Sequence, residues 1–164
     1  DLVKFLDETE EITRVAGTAV FMFKEIEKAP PALVNNLEHN KVLHRTTLIV
    51  SVDPDARPRV PQEERSVVTK VAPGVFQVQL EYGFMEEPNV PAALANLGHR
   101  DIVWDPDDVT YFIGRESIVA GKVPGMHPLA EHLFVMLNRG ADSAARFFNL
   151  PADRVFEVGT RVEI

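Results

Sequence analysis

Three kinds of hydrophobic pattern follow one another along this chain. Residues 17–23 and 46–52 are short, nearly continuous apolar runs, the second rich in β-branched residues. Strands covered on both faces read this way. Residues 75–82 alternate instead, with Phe76, Val78, Leu80 and Tyr82 set against Gln77, Gln79 and Glu81. That is the period of a strand with one buried face and one wet face. Residues 67–71 precede it across Pro73-Gly74, which is a hairpin signal. The third pattern recurs every three to four residues and predicts helices. One covers residues 1–13, with Leu2, Phe5 and Leu6 on a face. One runs from Pro30-Pro31 to His39-Asn40 on Ala32, Leu33 and Leu37. A short one covers 90–97, and the best runs from Pro128 to Arg139 on Leu129, Leu133, Met136 and Leu137.

Punctuation completes the prediction. Residues 109–113 and 116–119 are strand-like pieces around Gly114, where the narrow gap predicts a bulge or tight turn. Asp142 is placed to cap a short helix carrying Phe147 and Phe148, closed by Pro151. Residues 155–164 read as a strand broken at Gly159. Residues 53–65, with Pro54, Pro58 and Pro61 among Arg57, Arg59 and Arg65, read as a surface loop. The order predicts an α/β fold of mixed α+β character: a mixed sheet with an antiparallel hairpin and helices packed on it. No repeat or long linker divides the chain, so residues 14–164 form one domain. Residues 1–13 are either a docked helix or a connector from a preceding part.

Composition narrows the function more than it suggests one. The 164 residues are 45% hydrophobic and 26% charged, with a formal net charge of −8. A nucleic-acid binder needs clustered cations to displace counterions, and this balance argues against one. There is no cysteine, which removes disulfides, thiol nucleophiles and zinc ribbons together. No apolar run approaches the roughly 20 residues of a membrane span. Nothing matches a phosphate-binding glycine loop, and Gly121-Lys122-Val123-Pro124-Gly125 has its residues in the wrong order. His127, Glu131 and His132 miss the inverted zinc-protease spacing by one residue. The adjacent acids Asp107-Asp108 and Glu86-Glu87 read as solvated surface. The expectation is no catalytic residue, no metal and no cofactor.

Three stretches remain, each at the end or bend of an element. In His39-Asn40-Lys41-Val42-Leu43-His44, Asn40 suits a left-handed helix terminus, while Lys41, His44 and Arg45 form a candidate anion corner. In Tyr82-Gly83-Phe84-Met85-Glu86-Glu87-Pro88, Tyr82 and Phe84 either pack in the core or offer a stacking platform for a base. In Tyr111-Phe112-Ile113-Gly114-Arg115-Glu116, Arg115 is either one half of an ion pair or an anion ligand.

These stretches, with Arg14 to Met22, Pro30 to His44, Arg59-Val60-Pro61, Glu63-Glu64-Arg65 and the tail from Arg154 to Ile164, resemble the C-terminal cytoplasmic domain of the Kup (KUP/HAK/KT) potassium uptake transporters. The likeness covers nearly all of residues 14–164. It implies a parent protein whose membrane bundle, outside this chain, moves K⁺ with H⁺. Residues 1–13 are then the end of the connector from the last span. The implied role is regulation or assembly at the cytoplasmic face of the cell membrane, not an enzyme activity. The implied partners are the chain's own transmembrane part and a second copy. Cyclic di-AMP, which inhibits some relatives, or another adenine nucleotide is the implied ligand, with Lys41, His44, Arg45 and Arg115 as phosphate contacts and Tyr82 or Phe84 under the base. Two alternatives stand beside this: a purely structural cap, and a small hydrolytic enzyme.

Overall fold

A computed structural model describes residues 12–25, 28–116 and 141–160. Its centre is a six-stranded sheet. The strands are β1 (Thr13–Met22), β2 (Val42–Asp55), β3 (Ser66–Ala72), β4 (Val75–Gly83), β5 (Val109–Glu116) and β6 (Val155–Thr160). Their order across the sheet is β3-β4-β2-β1-β5-β6. Every neighbouring pair is parallel except β3–β4, the expected hairpin. The helices are α1 (Pro31–Asn35), continued by a π-helical turn over Asn36–Asn40, then α2 (Val90–Ala95) and α3 (Ala141–Phe147). The predicted fold class is therefore the observed one.

The continuous apolar runs explain the centre. β1 and β2 are flanked on both sides and covered on both faces, so no residue from Thr18 to Phe21 or from Thr47 to Ser51 stays exposed. On one face α1 and the π-helical turn seal Leu33 and Leu37 against Ala19, Phe21, Leu43, Ile49 and Val75. On the other, α2 and α3 bring Val90, Leu94, Ala144 and Phe148 onto Val20, Leu48, Val50, Phe76, Val78, Leu80 and Tyr111. The chain moves outward from β1 to β2 and β4, then returns past β1 to β5. Right-handed crossovers in opposite directions put the helices on opposite faces. The alternating strand β4 buries its even residues as expected, but it lies between β3 and the parallel strand β2, and Gln77, Gln79 and Glu81 are half-buried rather than wet.

Several boundaries differ from the sequence expectation. β1 starts at Thr13, and Gly17, at φ +91°, is an interior bulge rather than the strand's head. β2 runs three residues into the predicted proline loop. Pro54 is tolerated because β1 ends at the level of Val50, leaving that side of β2 without a partner strand among the described residues. The left-handed residue after α1 is Lys41, at φ +54°, not Asn40. The Asn40 side chain instead donates to Asn36 Oδ1 inside the widened turn, and Asn36 donates to the Val42 carbonyl. Asp142 lies within α3 rather than before it. Its far end is a left-handed Asn149, with Leu150 N–H donating to Ala145 and Asn149 N–H to Arg146, the double closure that commonly precedes a proline.

β5 and β6 also run straight through their glycines, without the predicted breaks: Gly114 pairs with Val158, and Arg115 with Gly159. The strand piece 117–119, the helix 128–139 with His127, Glu131 and His132, the tail 161–164 and the connector 1–11 lie outside the described residues.

A Cβ at Gly114 meets open space, and the backbone there is extended. Gly114→Ala should therefore hold or raise the stability by roughly 0.5 kcal/mol in a urea melt. A loss above about 1 kcal/mol would restore the break that the sequence suggested.

Candidate functional site

The six candidate residues fall at opposite ends of the sheet. Lys41, His44 and Arg45 stand at the heads of the parallel strands. Tyr82, Phe84 and Arg115 stand at their C-terminal ends. Thr47 pairs with Val75, and Tyr82 lies seven residues further along β4, about 23 Å at the rise of a strand. Within the far group, Arg115 on β5 and Tyr82 on β4 are three strands apart, about 14 Å.

At the near end, Lys41 and Arg45 are exposed. The Lys41 carbonyl accepts the Thr13 N–H, tying the head of β1 to β2 (3.1 Å). His44 is half-buried, with its ring edge-on to Phe112 at 6.3 Å between centroids. Burial pushes its imidazole down, and the charge of Asp108 pushes it back up. Arg14, which the sequence reading did not single out as a site residue, bridges the His44 carbonyl (3.2 Å) and the Pro73 carbonyl (2.8 Å). Among the described residues its donors meet backbone carbonyls and no carboxylate.

The far end is built around one carboxylate. Glu86 accepts from Arg65 Nη2 (2.6 Å), from the Gly83 N–H (2.8 Å) and from the Val60 N–H (2.9 Å). Partial burial pushes the Glu86 carboxyl up, but these three donors outweigh it and hold it down at about 2. The same Arg65 nitrogen donates to the Val60 carbonyl, and the guanidinium lies over the Tyr82 ring, 4.4 Å from its centroid. Tyr82 is 5% exposed. Its hydroxyl donates to the Asn89 carbonyl and accepts the Asn89 N–H, while the Asn89 side chain caps α2 through the Ala92 N–H. Gly83 is required by contact: a Cβ there would lie 2.3 Å from the Pro58 carbonyl oxygen. The Phe84 and Met85 amides donate to Arg57 and Pro58. The stretch 82–89 is thus a clasp that pins the loop after β2 onto the end of β4. The loop is further braced by Arg57, shared between Asp55 and Glu64.

The clasp corrects the reading of Glu86 as a solvated surface acid. The signal was present as a Gly followed three residues later by Glu, the spacing at which a carboxylate returns to a turn amide, as in a capping box. The Arg65 partnership came from 21 residues away and had no local signature. Of the aromatic pair, Tyr82 is covered by Arg65, and Phe84 remains open at 52% exposure. Among the described residues no group of three metal-ligating side chains gathers. No described helix is long and apolar enough to cross a membrane.

A family model described as the K+ potassium transporter C-terminal domain matches residues 16–164. The chain belongs to that family. It is 44% identical over 151 residues to the "Probable potassium transport system protein Kup" of Pseudomonas entomophila, which covers 92% of this chain and 24% of that protein. It is 43% identical over 153 residues to the protein of the same name from Acidiphilium cryptum, covering 93% and 24%. With "Probable potassium transport system protein Kup 1" of Geobacter sulfurreducens it shares 42% over 166 residues, covering 99% and 26%. No solved structure matches. The chain spans about a quarter of the length of these relatives. Membership places it in a transporter family and not in an enzyme family, as the resemblance implied.

The clasp makes a pH prediction. With Glu86 at about 2 in the fold and near 4.3 in the unfolded chain, its stabilisation is complete above that unfolded value. It is lost as pH falls toward 2. Glu86→Gln should cost about 2 kcal/mol at pH 7 and flatten the acid limb of a stability profile between pH 5 and 2. An unchanged acid limb would remove Glu86 from the centre of the network.

Proposed function

We propose that the chain is the cytoplasmic regulatory and assembly domain of a potassium uptake transporter that couples K⁺ to H⁺, acting on the membrane part through a homodimer. The observation that carries this reading is the family match over residues 16–164. In the relatives, the matched region is one quarter of a potassium transport system protein. The ion path then belongs to the other three quarters, and this domain influences it only through a ligand or contact that binds two states of the transporter unequally.

The geometry bears on the ligand. Lys41, His44 and Arg45 stand more than about 20 Å from Tyr82 and Phe84 along the strands, so one copy of an adenine nucleotide cannot touch both groups of one chain. A two-fold dimer presents each group twice. A dinucleotide such as cyclic di-AMP therefore fits this reading by meeting the same end of two copies, with phosphates on cations and a base against Phe84 if the far end is used.

A second reading has its own support. The polar groups of Tyr82, Glu86 and Asn89 are satisfied inside the domain. This favours a structural cap in which the recognisable stretch binds nothing.

Light scattering on the eluted chain and thermal melts against cyclic di-AMP, cyclic AMP, ATP and ADP separate the two. The regulatory reading predicts twice the chain mass and a melting point raised several degrees by one nucleotide. At 100 times its dissociation constant, a ligand adds about 2.7 kcal/mol. Lys41→Ala and Arg45→Ala should abolish that shift if the near end binds, and Arg115→Ala if the far end does. A monomer indifferent to all four nucleotides would leave the cap.

A further inference from the structure

The near end of the sheet holds a half-buried imidazole, His44, one of whose nitrogens is sealed from water. His44 Nδ1 is buried and has no hydrogen-bond partner among the described residues. A neutral imidazole tolerates this with the proton on the other nitrogen. A charged imidazole carries N–H donors at both positions, and a buried donor without an acceptor is costly.

What surrounds His44 determines what a proton there would do. From β1, Arg14 Nη1 donates to the His44 carbonyl. From the π turn and from β2 itself, Lys41 and Arg45 add positive charge, and both are exposed. From the turn before β5, Asp108 is the carboxylate that favours the charged ring. Asp108 is exposed, however, and its reach is screened by water. Its backbone is held where its carbonyl accepts the Thr18 N–H at 3.0 Å, and its side chain fills the place of a Cβ at Gly17, with Oδ1 2.8 Å from that position. Asp107, next to it, is engaged by Arg154. Phe112 contributes only its ring.

The strand that His44 supports is held unevenly. Above the Gly17 bulge, Thr18 to Met22 pair with β2 on one side and β5 on the other. Below it, Thr13, Arg14 and Val15 pair, among the described residues, with β2 alone, opposite Val42, Leu43 and His44. A ring forced toward water at His44 moves the residue paired with Val15 and the carbonyl that Arg14 grips.

We propose that His44 is a proton-operated latch on the head of β1: neutral, it lets residues 13–15 lie against β2, and charged, it releases them while the strand above the bulge stays in place. In the transporter reading, on which the consequence rests but the latch does not, this segment is the one through which the domain joins the preceding part of the parent. Proton uptake would then loosen that joint as pH falls. The sign follows from burial. The fold favours the neutral ring, so stability of the latch is full above the ordinary histidine range and declines below it.

The test is a nuclear magnetic resonance titration of the chain from pH 7.5 to 5. It follows the His44 ring proton together with amide-exchange protection at Thr13–Val15 and at Val20–Phe21, corrected for intrinsic rates. The latch predicts a His44 midpoint below the ordinary value. Protection at 13–15 should fall toward about tenfold per pH unit, the slope allowed by one proton, and protection at 20–21 should stay level. Asp108→Asn should move the midpoint lower still, and His44→Gln should remove the pH dependence at 13–15. Should His44→Gln fail to fold, the two wild-type readouts decide alone. An ordinary His44 midpoint, a 13–15 response that does not track it, or a response that survives in His44→Gln would overturn the proposal.

Discussion

Burial of β1 and β2 on both faces is the constraint from which the rest of this structure follows. Two parallel strands with no wet face require a crossover helix between them and cover on the opposite side. That requirement sends α1 to one face and α2 and α3 to the other. It fixes β1 at the turning point of the chain path, with β2 and β4 to one side and β5 and β6 to the other. It also sorts the charged residues. With the interior of the central strands closed to them, Lys41, His44 and Arg45 gather at the strand heads, and Glu86 and Arg65 at the strand ends. Two polar centres on one small domain are separated by the length of its sheet.

The two centres are built on different physics. At the far end, a carboxylate collects three donors, one of them from a guanidinium that lies over an aromatic ring, and among the described residues Arg65 Nε is the one buried side-chain atom there without a partner. A network this nearly complete fixes one arrangement of loop and turn. At the near end, the polar groups are looser. Arg14 holds two carbonyls, Lys41 and Arg45 face water, and His44 keeps a buried nitrogen without a partner among the described residues. The far end has the character of a fixed part. The near end has the character of a part that responds to its surroundings, and it is also where, among the described residues, the first strand is paired on one side only.

How much of this was legible depended on whether the cause was local. The runs 17–23 and 46–52, the alternation of 75–82 and the Pro73-Gly74 turn gave the central strands and the hairpin, because burial on one or two faces writes a period directly into the chain. Strand ends were misplaced where tertiary pairing overrode local punctuation. Pro54 was absorbed once β1 had ended, and Gly114 and Gly159 were carried straight through by pairing with each other's strands. Lys41 took the left-handed position because a widened turn displaced it by one residue from Asn40, which the side-chain chemistry favoured. The stretch 82–88 was legible as special but not as a clasp. Its key partner, Arg65, sits across a proline-bearing loop, and nothing in the local pattern of either segment points to the other.

Whether that recognisable stretch is an internal clasp or an open ligand surface decides what the far end of the sheet does. A double-mutant cycle on Arg65→Met and Glu86→Gln, read by urea denaturation at pH 7, measures this most directly. The pair is largely buried, with side chains 12% and 17% exposed. The clasp predicts a coupling energy well above 1 kcal/mol, beyond what exposed ion pairs reach. A coupling near zero would mean that Arg65 and Glu86 hold nothing together, and would return the far end of the sheet to solvent and to a ligand.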